Sequence, residues 1–271
     1  MRRVFKISAC TIIAAMLTAG AIVSFPAGNV FAEGSDSIPI DEEHFPDENL
    51  RTYISENYDT DDEKGYLSSD ERNAVNLINV SEVTSVEGLE YFPNLQSLAL
   101  RKSTITSLDC SGNSQLQVLN VENGVLAKID TSKCTDLTYL NISHNHPSDN
   151  SVIEFDISNN YELKTFFCED IGISNLDVTN NKELVMLACG KNNLTELNVS
   201  NNTKLQHLLC DHNYLKGIDV STLASLKTLY IEINELESLD VSNNPDLASL
   251  NCHFNDIRGL DITNNPYLIS V

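Results

Sequence analysis

The sequence predicts an α/β repeat solenoid: a horseshoe or arc whose short strands form a parallel concave sheet, with a small helical cap at the amino end. Three observations predict it. Leucines open successive units at Leu95, Leu116, Leu137, Leu163, Leu184, Leu205, Leu226, Leu247 and Leu268, and every step is 21 residues except the 26 between Leu137 and Leu163. Within a unit the apolar residues hold fixed places: Leu184, Leu187, Cys189, Leu194, Leu197 and Val199 return one period later as Leu205, Leu208, Cys210, Leu215, Ile218 and Val220. Each Leu-x-x-Leu-x-apolar run is the length of one short strand, and a single unit buries too little to order itself, so the units must stack.

The chain opens with the basic MRRVFK, continues with the apolar ISACTIIAAMLTAGAIVSF, and reaches the small-residue site Val30-Phe31-Ala32. Those parts in that order read as a secretory signal peptide over residues 1–32, with a mature chain expected from Glu33. No later stretch approaches the roughly 20 apolar residues a membrane span requires, so no transmembrane segment is expected in the mature chain and its place is secreted or at the cell surface. The formal net charge is −22, and the leader takes Arg2, Arg3 and Lys6 with it but no acid. A surface of that sign repels nucleic acid and anionic lipid, which removes both as expected partners.

Residues 33–40 read as a polar linker and residues 41–94 as the cap. Phe45-Pro46-Asp47 followed by Leu50, Tyr53 and Ile54 predicts a helix with proline in its first turn, ending near Asn57. A second, shorter helix is expected through Val75. Between them lies DTDDEKGYLSSDE, residues 59–71, where the sequence concentrates candidate ligands for a metal. A calcium loop needs oxygen ligands at alternate positions, a glycine at a sharp turn, a backbone carbonyl and a closing glutamate; Asp59, Asp61, Glu63, Gly65, Tyr66 and Glu71 supply those parts, which makes Ca2+ the candidate ion. The spacing departs from the pattern, because counting back from Glu71 puts the first ligand place on Thr60 and the fifth on Lys64. Ser68 and Glu71 also have the spacing of a capping box for the second helix. From Leu77 to Asn94 apolar residues anticipate the repeats without keeping their register, as expected of an outermost coil.

Residues 95–271 hold eight full units and a truncated ninth, and their pattern is that of the leucine-rich repeat. Asn145, Asn192, Asn213, Asn234 and Asn255 take the ninth position, where the side-chain amide can serve backbone groups as the chain leaves the strand. Asn-x-Ser/Thr triplets such as Asn198-Val199-Ser200 follow from the repeat and do not mark glycan sites. Of the seven cysteines, Cys10 falls in the leader, and Cys168, Cys189, Cys210 and Cys252 share the sixth position with Leu100, Val121, Ile142 and Ile231. They read as small core hydrophobes; if a disulfide forms, Cys110 and Cys134 are the pair, because they stand off that column. The five extra residues of the lengthened unit centre on His146-Pro147-Ser148-Asp149-Asn150, a surface loop in which His144, His146 and Asp149 form a weak metal-ligand cluster. The chain stops partway through a unit at Val271, which is read as a truncation point.

The leader, the acidic DTDDEKGYLSSDE loop, the segment SVEGLEYFPNLQSLAL and the repeated LDVSNN-type units together resemble secreted or surface leucine-rich repeat proteins of Gram-positive bacteria, the broad internalin-like group. The resemblance covers nearly all of the mature chain. It implies adhesion or protein binding through the concave sheet. The 21-residue period, the cysteines in the strands and the lack of a following immunoglobulin-like domain depart from that group, so a host receptor is not implied.

If the fourth and sixth residues of each strand point inward, the third, fifth and seventh face out. That places Phe167, Leu209 and Tyr230, with Met186 and His207, on an apolar patch, and Glu169, Asp211, Glu232 and His253 on its rim. No nucleophile motif, zinc-protease motif or phosphate-binding glycine loop accompanies them, so a catalytic site is not expected. The sequence thus predicts a binding module for protein, with glycan as a further partner class. The alternatives are a glycan-targeting or scaffolding part of a larger extracellular enzyme, or a calcium-regulated surface protein.

Overall fold

The computed structural model describes residues 36–269. The predicted leader, most of the linker's first residues and the chain end at Val271 lie outside the described residues.

The cap begins with β1 (Ile38–Pro39), which pairs antiparallel with β2 (Tyr66–Leu67). Helix α1 runs Glu48–Tyr58. Its N-cap is Asp47, whose carboxylate accepts from Leu50 N–H at 2.8 Å, so Pro46 stands before the cap and not in the first turn. The second Asp47 oxygen accepts from the Thr84 N–H and hydroxyl at 2.7 and 2.8 Å, which ties the helix to the first coil. Leu50 and Ile54 bury the inner face of α1. Helix α2 (Ser69–Ala74) starts at a complete capping box formed by Ser68 and Glu71.

Nine parallel strands follow in one sheet: β3 (Leu77–Ser81), β4 (Ser97–Arg101), β6 (Val118–Asn120), β8 (Tyr139–Asn141), β9 (Thr165–Phe167), β10 (Met186–Ala188), β11 (His207–Leu209), β12 (Thr228–Tyr230) and β13 (Ser249–Asn251). Like positions face each other throughout, Leu187 with Leu208 and Leu208 with Leu229. Leu77 pairs with Ser97 and Ser81 with Arg101, so the cap's last coil is a rung of the sheet, spaced 20 residues from the next where later rungs are mostly spaced 21.

Side chains at the fourth position, Leu98, Leu119, Leu140, Phe166, Leu187, Leu208, Leu229 and Leu250, are all buried. At the sixth position Cys168, Cys189 and Cys210 are buried on consecutive rungs beside Ile142 and Ile231. The six cysteines from Cys110 to Cys252 are free thiols. Each strand then turns out through a left-handed residue at the eighth position, from Lys102 to Phe254, with φ between 52° and 62°. The ninth-position asparagines close that turn: Asn192 Nδ2 donates to the Cys168 and Cys189 carbonyls at 2.8 and 3.0 Å while Oδ1 accepts from Ile171 and Ile173 N–H.

The return side has its own ladder. Strands β5 (Ser107–Asp109) and β7 (Lys128–Asp130) pair in parallel, and later coils replace strand with turns. Those turns come from Asp-x-Ser/Thr: Asp177, Asp219, Asp240 and Asp261 each accept the N–H two residues on. A second asparagine column, unrecognised in the sequence, lies just beyond: Asn113, Asn160, Asn181, Asn202, Asn244 and Asn265 are buried and donate to carbonyls of the previous coil, as Asn202 does to Val178 and Asn181 at 2.9 and 2.8 Å. Cys134 fills one place in this column, its thiol directed at the Cys110 and Asn113 carbonyls at 3.6 and 3.7 Å.

Candidate binding face

The outer face of the nine-stranded sheet is built from the third, fifth and seventh residues of each rung, which the core does not claim. Ladder spacing of about 4.8 Å stacks equivalent side chains on one another. This corrects the expected exposed apolar patch: Phe167, Met186 and Leu209 keep only 3%, 7% and 8% of their surface, because each is covered by its rung neighbours. Phe167 packs edge-on against Tyr139, ring centroids 5.7 Å apart. The groups a partner can reach are the half-buried His207 and Tyr230 and their polar surround. Tyr139, on the rung before Phe167, belongs to the same face, and its third place in the unit opened by Leu137 is the sequence signal for it.

His207 sits with Nδ1 3.1 Å from the Thr228 hydroxyl, and burial followed by the nearby Lys227 ammonium lowers its pKa, which favours the neutral ring. Of the expected rim, Glu169, Asp211 and Glu232 are half-buried and His253 is exposed. Burial raises the Glu169 carboxyl above its ordinary range, and the Asp211 carboxylate pushes it the same way. Beyond the rim the left-handed turns display Ile233 and Phe254, with Phe254 80% exposed, where earlier rungs carry polar residues.

In the cap loop the structure brings Asp59, Asp61 and Glu71 together, with ligand oxygens within 4.8 Å of one another; the Glu63 carboxylate stands outside that group. Glu71 Oε1 accepts from Thr60 N–H, the Thr60 hydroxyl and Asp61 N–H at 2.6, 3.1 and 3.0 Å. Its Oε2 accepts from the Ser68 N–H and hydroxyl at 2.9 and 3.0 Å. Burial alone would raise this carboxyl, but the N–H donors outweigh it and hold its pKa below the usual glutamate range. Asp59 is engaged as well, accepting from Gly65 N–H at 2.9 Å, and Lys64 Nζ lies 2.6 Å from the Asp59 carbonyl. Calcium ligation by Glu71 therefore has to displace donors already directed at both its oxygens.

The expected His144, His146 and Asp149 group is also rearranged. Asp149 accepts from Ser151 N–H at 2.9 Å, and the acid beside the histidines is Asp170, with Oδ2 3.2 Å from His144 Nδ1 and 3.7 Å from His146 Nε2. The next rung supplies the acid because the ladder brings it closer than the loop does.

No protein-family model matches the chain, and no curated protein matches it in sequence. Solved structures do. The functional domain of InlJ from Listeria monocytogenes, described as including a cysteine ladder, is 26% identical with a TM-score of 0.59, covering 88% of this chain and 61% of that one. Internalin C2 from Listeria monocytogenes is 20% identical with a TM-score of 0.63, covering 89% of this chain and 99% of that one. The fold is an internalin-like leucine-rich repeat. A leucine-rich repeat protein of Leptospira interrogans gives a TM-score of 0.61 at 22% identity, covering 67% of this chain and 49% of that one. This leucine-rich repeat chain thus spans 61% of the InlJ domain it matches. Among the described residues no helix is long and apolar enough to cross a membrane.

Proposed function

We propose that this chain is a secreted or cell-surface binding module that engages a protein partner through the outer face of its sheet, without chemistry of its own. The observation that carries the reading is the composition of that face. Tyr139, His207 and Tyr230, all partly exposed, lie on rungs of one rigid ladder, with the buried Phe167 packed edge-on against Tyr139, and are bordered by Glu169, Asp211 and Glu232. Aromatic groups held by a rigid frame lose little entropy on binding and anchor protein interfaces, and an acidic border favours a basic partner. The leader expected over residues 1–32 supports export, and the likeness to the InlJ domain supports a binding role at the cell surface.

The test is capture from matched protein and glycan panels by the full chain, beside a Tyr139→Ala, Tyr230→Ala variant of equal melting temperature. Capture of a protein partner by the parent, with loss of at least tenfold in affinity in the variant, supports the reading. Equal capture by both places recognition elsewhere, and capture of glycans alone replaces protein as the partner class.

A further inference from the structure

At the exit edge of the sheet, Asp211 and His212 follow one another and Glu232 stands one rung on. One carboxylate oxygen from each acid and a ring nitrogen of His212 lie within 4.8 Å of one another. With its left-handed φ of 52°, His212 sets Nδ1 2.9 Å from Asp211 Oδ2. The room for this is built into the rung before. Gly190 is not in the left-handed region, so conformational freedom is not what it supplies; a Cβ there would meet Asp211 Oδ1 at 2.8 Å and Cγ at 3.1 Å. The missing side chain lets the Asp211 carboxylate lie over that rung, within electrostatic reach of Glu169.

Three carboxylates thus stand along four neighbouring rungs. Among the described residues neither Glu169 nor Glu232 has a side-chain hydrogen bond or ion pair, and Asp211 has only His212. His144 and Lys191 act on Glu169 through space, yet burial and Asp211 outweigh them, and like charges so placed are relieved further by a cation beside Asp211 and Glu232. The donor set decides which. Calcium and magnesium take oxygen ligands, whereas an imidazole with two carboxylates suits zinc and its first-row neighbours. Ligand bonds of about 2.0 to 2.2 Å put neighbouring ligands of a tetrahedral ion about 3.4 Å apart, so the three side chains need to close by roughly an ångström. Asp211 and His212 keep 17% and 40% of their side-chain surface, so both are reachable and His212 has room to turn.

We propose that Asp211, His212 and Glu232 bind one divalent transition-metal cation of the zinc class at the exit edge of the sheet, leaving a coordination place open to water. The site goes beyond the protein-binding reading and stands without it. Calorimetric titration of Zn2+ into the chelator-treated, reduced full chain tests it, with Ca2+ as the comparison ion. The expected result is one saturable zinc site weakened at least tenfold by His212→Asn, a residue that tolerates the left-handed turn, and by Asp211→Asn with Glu232→Gln. Gly190→Ala is expected to weaken it also, with the metal-free melting curves of all variants compared to the parent's. No saturable zinc binding, or unchanged affinity in His212→Asn at an unchanged metal-free melting curve, overturns the proposal. So does loss of binding in His144→Ala or Cys252→Ser instead, which would assign zinc to the Asp170 histidines or to the partly exposed thiol.

Discussion

Glu71 shows how one side chain can decide between two readings of the same loop. Its carboxylate closes the loop against Thr60, Asp61 and Ser68. Glu71→Ala leaves those donors short of partners and is expected to destabilise the chain by about 1 to 3 kcal/mol in urea unfolding. Addition of calcium is expected to leave the parent's melting temperature unchanged; a rise abolished by Glu71→Ala would instead establish the ion in this loop. Burial opposes ionisation of both Glu71 and Asp47, but N–H donors hold both folded pKa values below normal. Their stabilisation is therefore complete above the unfolded carboxyl pKa of about 4 and is lost as pH falls through the folded values. Melting temperature should stay level from pH 7 to about 5 and drop below about 4, with a shallower drop in Glu71→Gln. Glu169 has the opposite sign: burial and Asp211 raise its folded pKa, so its charge opposes folding at neutral pH and this penalty fades on acidification. Glu169→Gln should accordingly raise the melting temperature at pH 7 and make no difference below about pH 4.

Each rung is an element whose burial is almost entirely inter-rung. Leu208 is fully buried between Leu187 and Leu229 in the ladder. Leu208→Ala should cost about 2 to 5 kcal/mol, the range for a buried leucine whose cavity cannot collapse, measured by urea unfolding. The strand side of each unit was legible because Leu-x-x-Leu-x-apolar fixes which residues point inward. The return side was less so: Asp-x-Ser/Thr turns repeat visibly, yet the buried role of Asn181, Asn202 and Asn244 was hidden because asparagine usually marks exposed turns. Nor did the sequence show β1, a two-residue strand whose pairing with β2 depends on distant contact. The candidate face was legible in direction but not in exposure. Alternation named Phe167, Met186 and Leu209 as outward, while their covering by neighbours depends on side-chain sizes one period away.

Across the whole repeat array, every rung touches only its neighbours, so stability is expected to vary along the chain rather than belong to one core. At the amino end Phe45, Leu50, Leu67 and Phe92 cover the first coil and are themselves buried. Toward the other end Cys252, Ile257, Leu260 and Leu268 are only partly buried. Hydrogen exchange should therefore be fastest in the rung that begins at Leu247 and slowest around β9 to β11; uniform protection along the sheet would refute this gradient. The sequence by itself determined the repeat, its period, the inward columns and the sign of the surface charge, because stacked identical units must satisfy the same burial rule at every rung. Tertiary structure decided which outward residues remain reachable, that Asp170 and not Asp149 meets His144, and that Glu71 is enclosed by donors. The first two depend on distances between residues about one turn of the solenoid apart, which exist only once the rungs are stacked, and the third on the cap loop folding Thr60 and Asp61 onto Glu71.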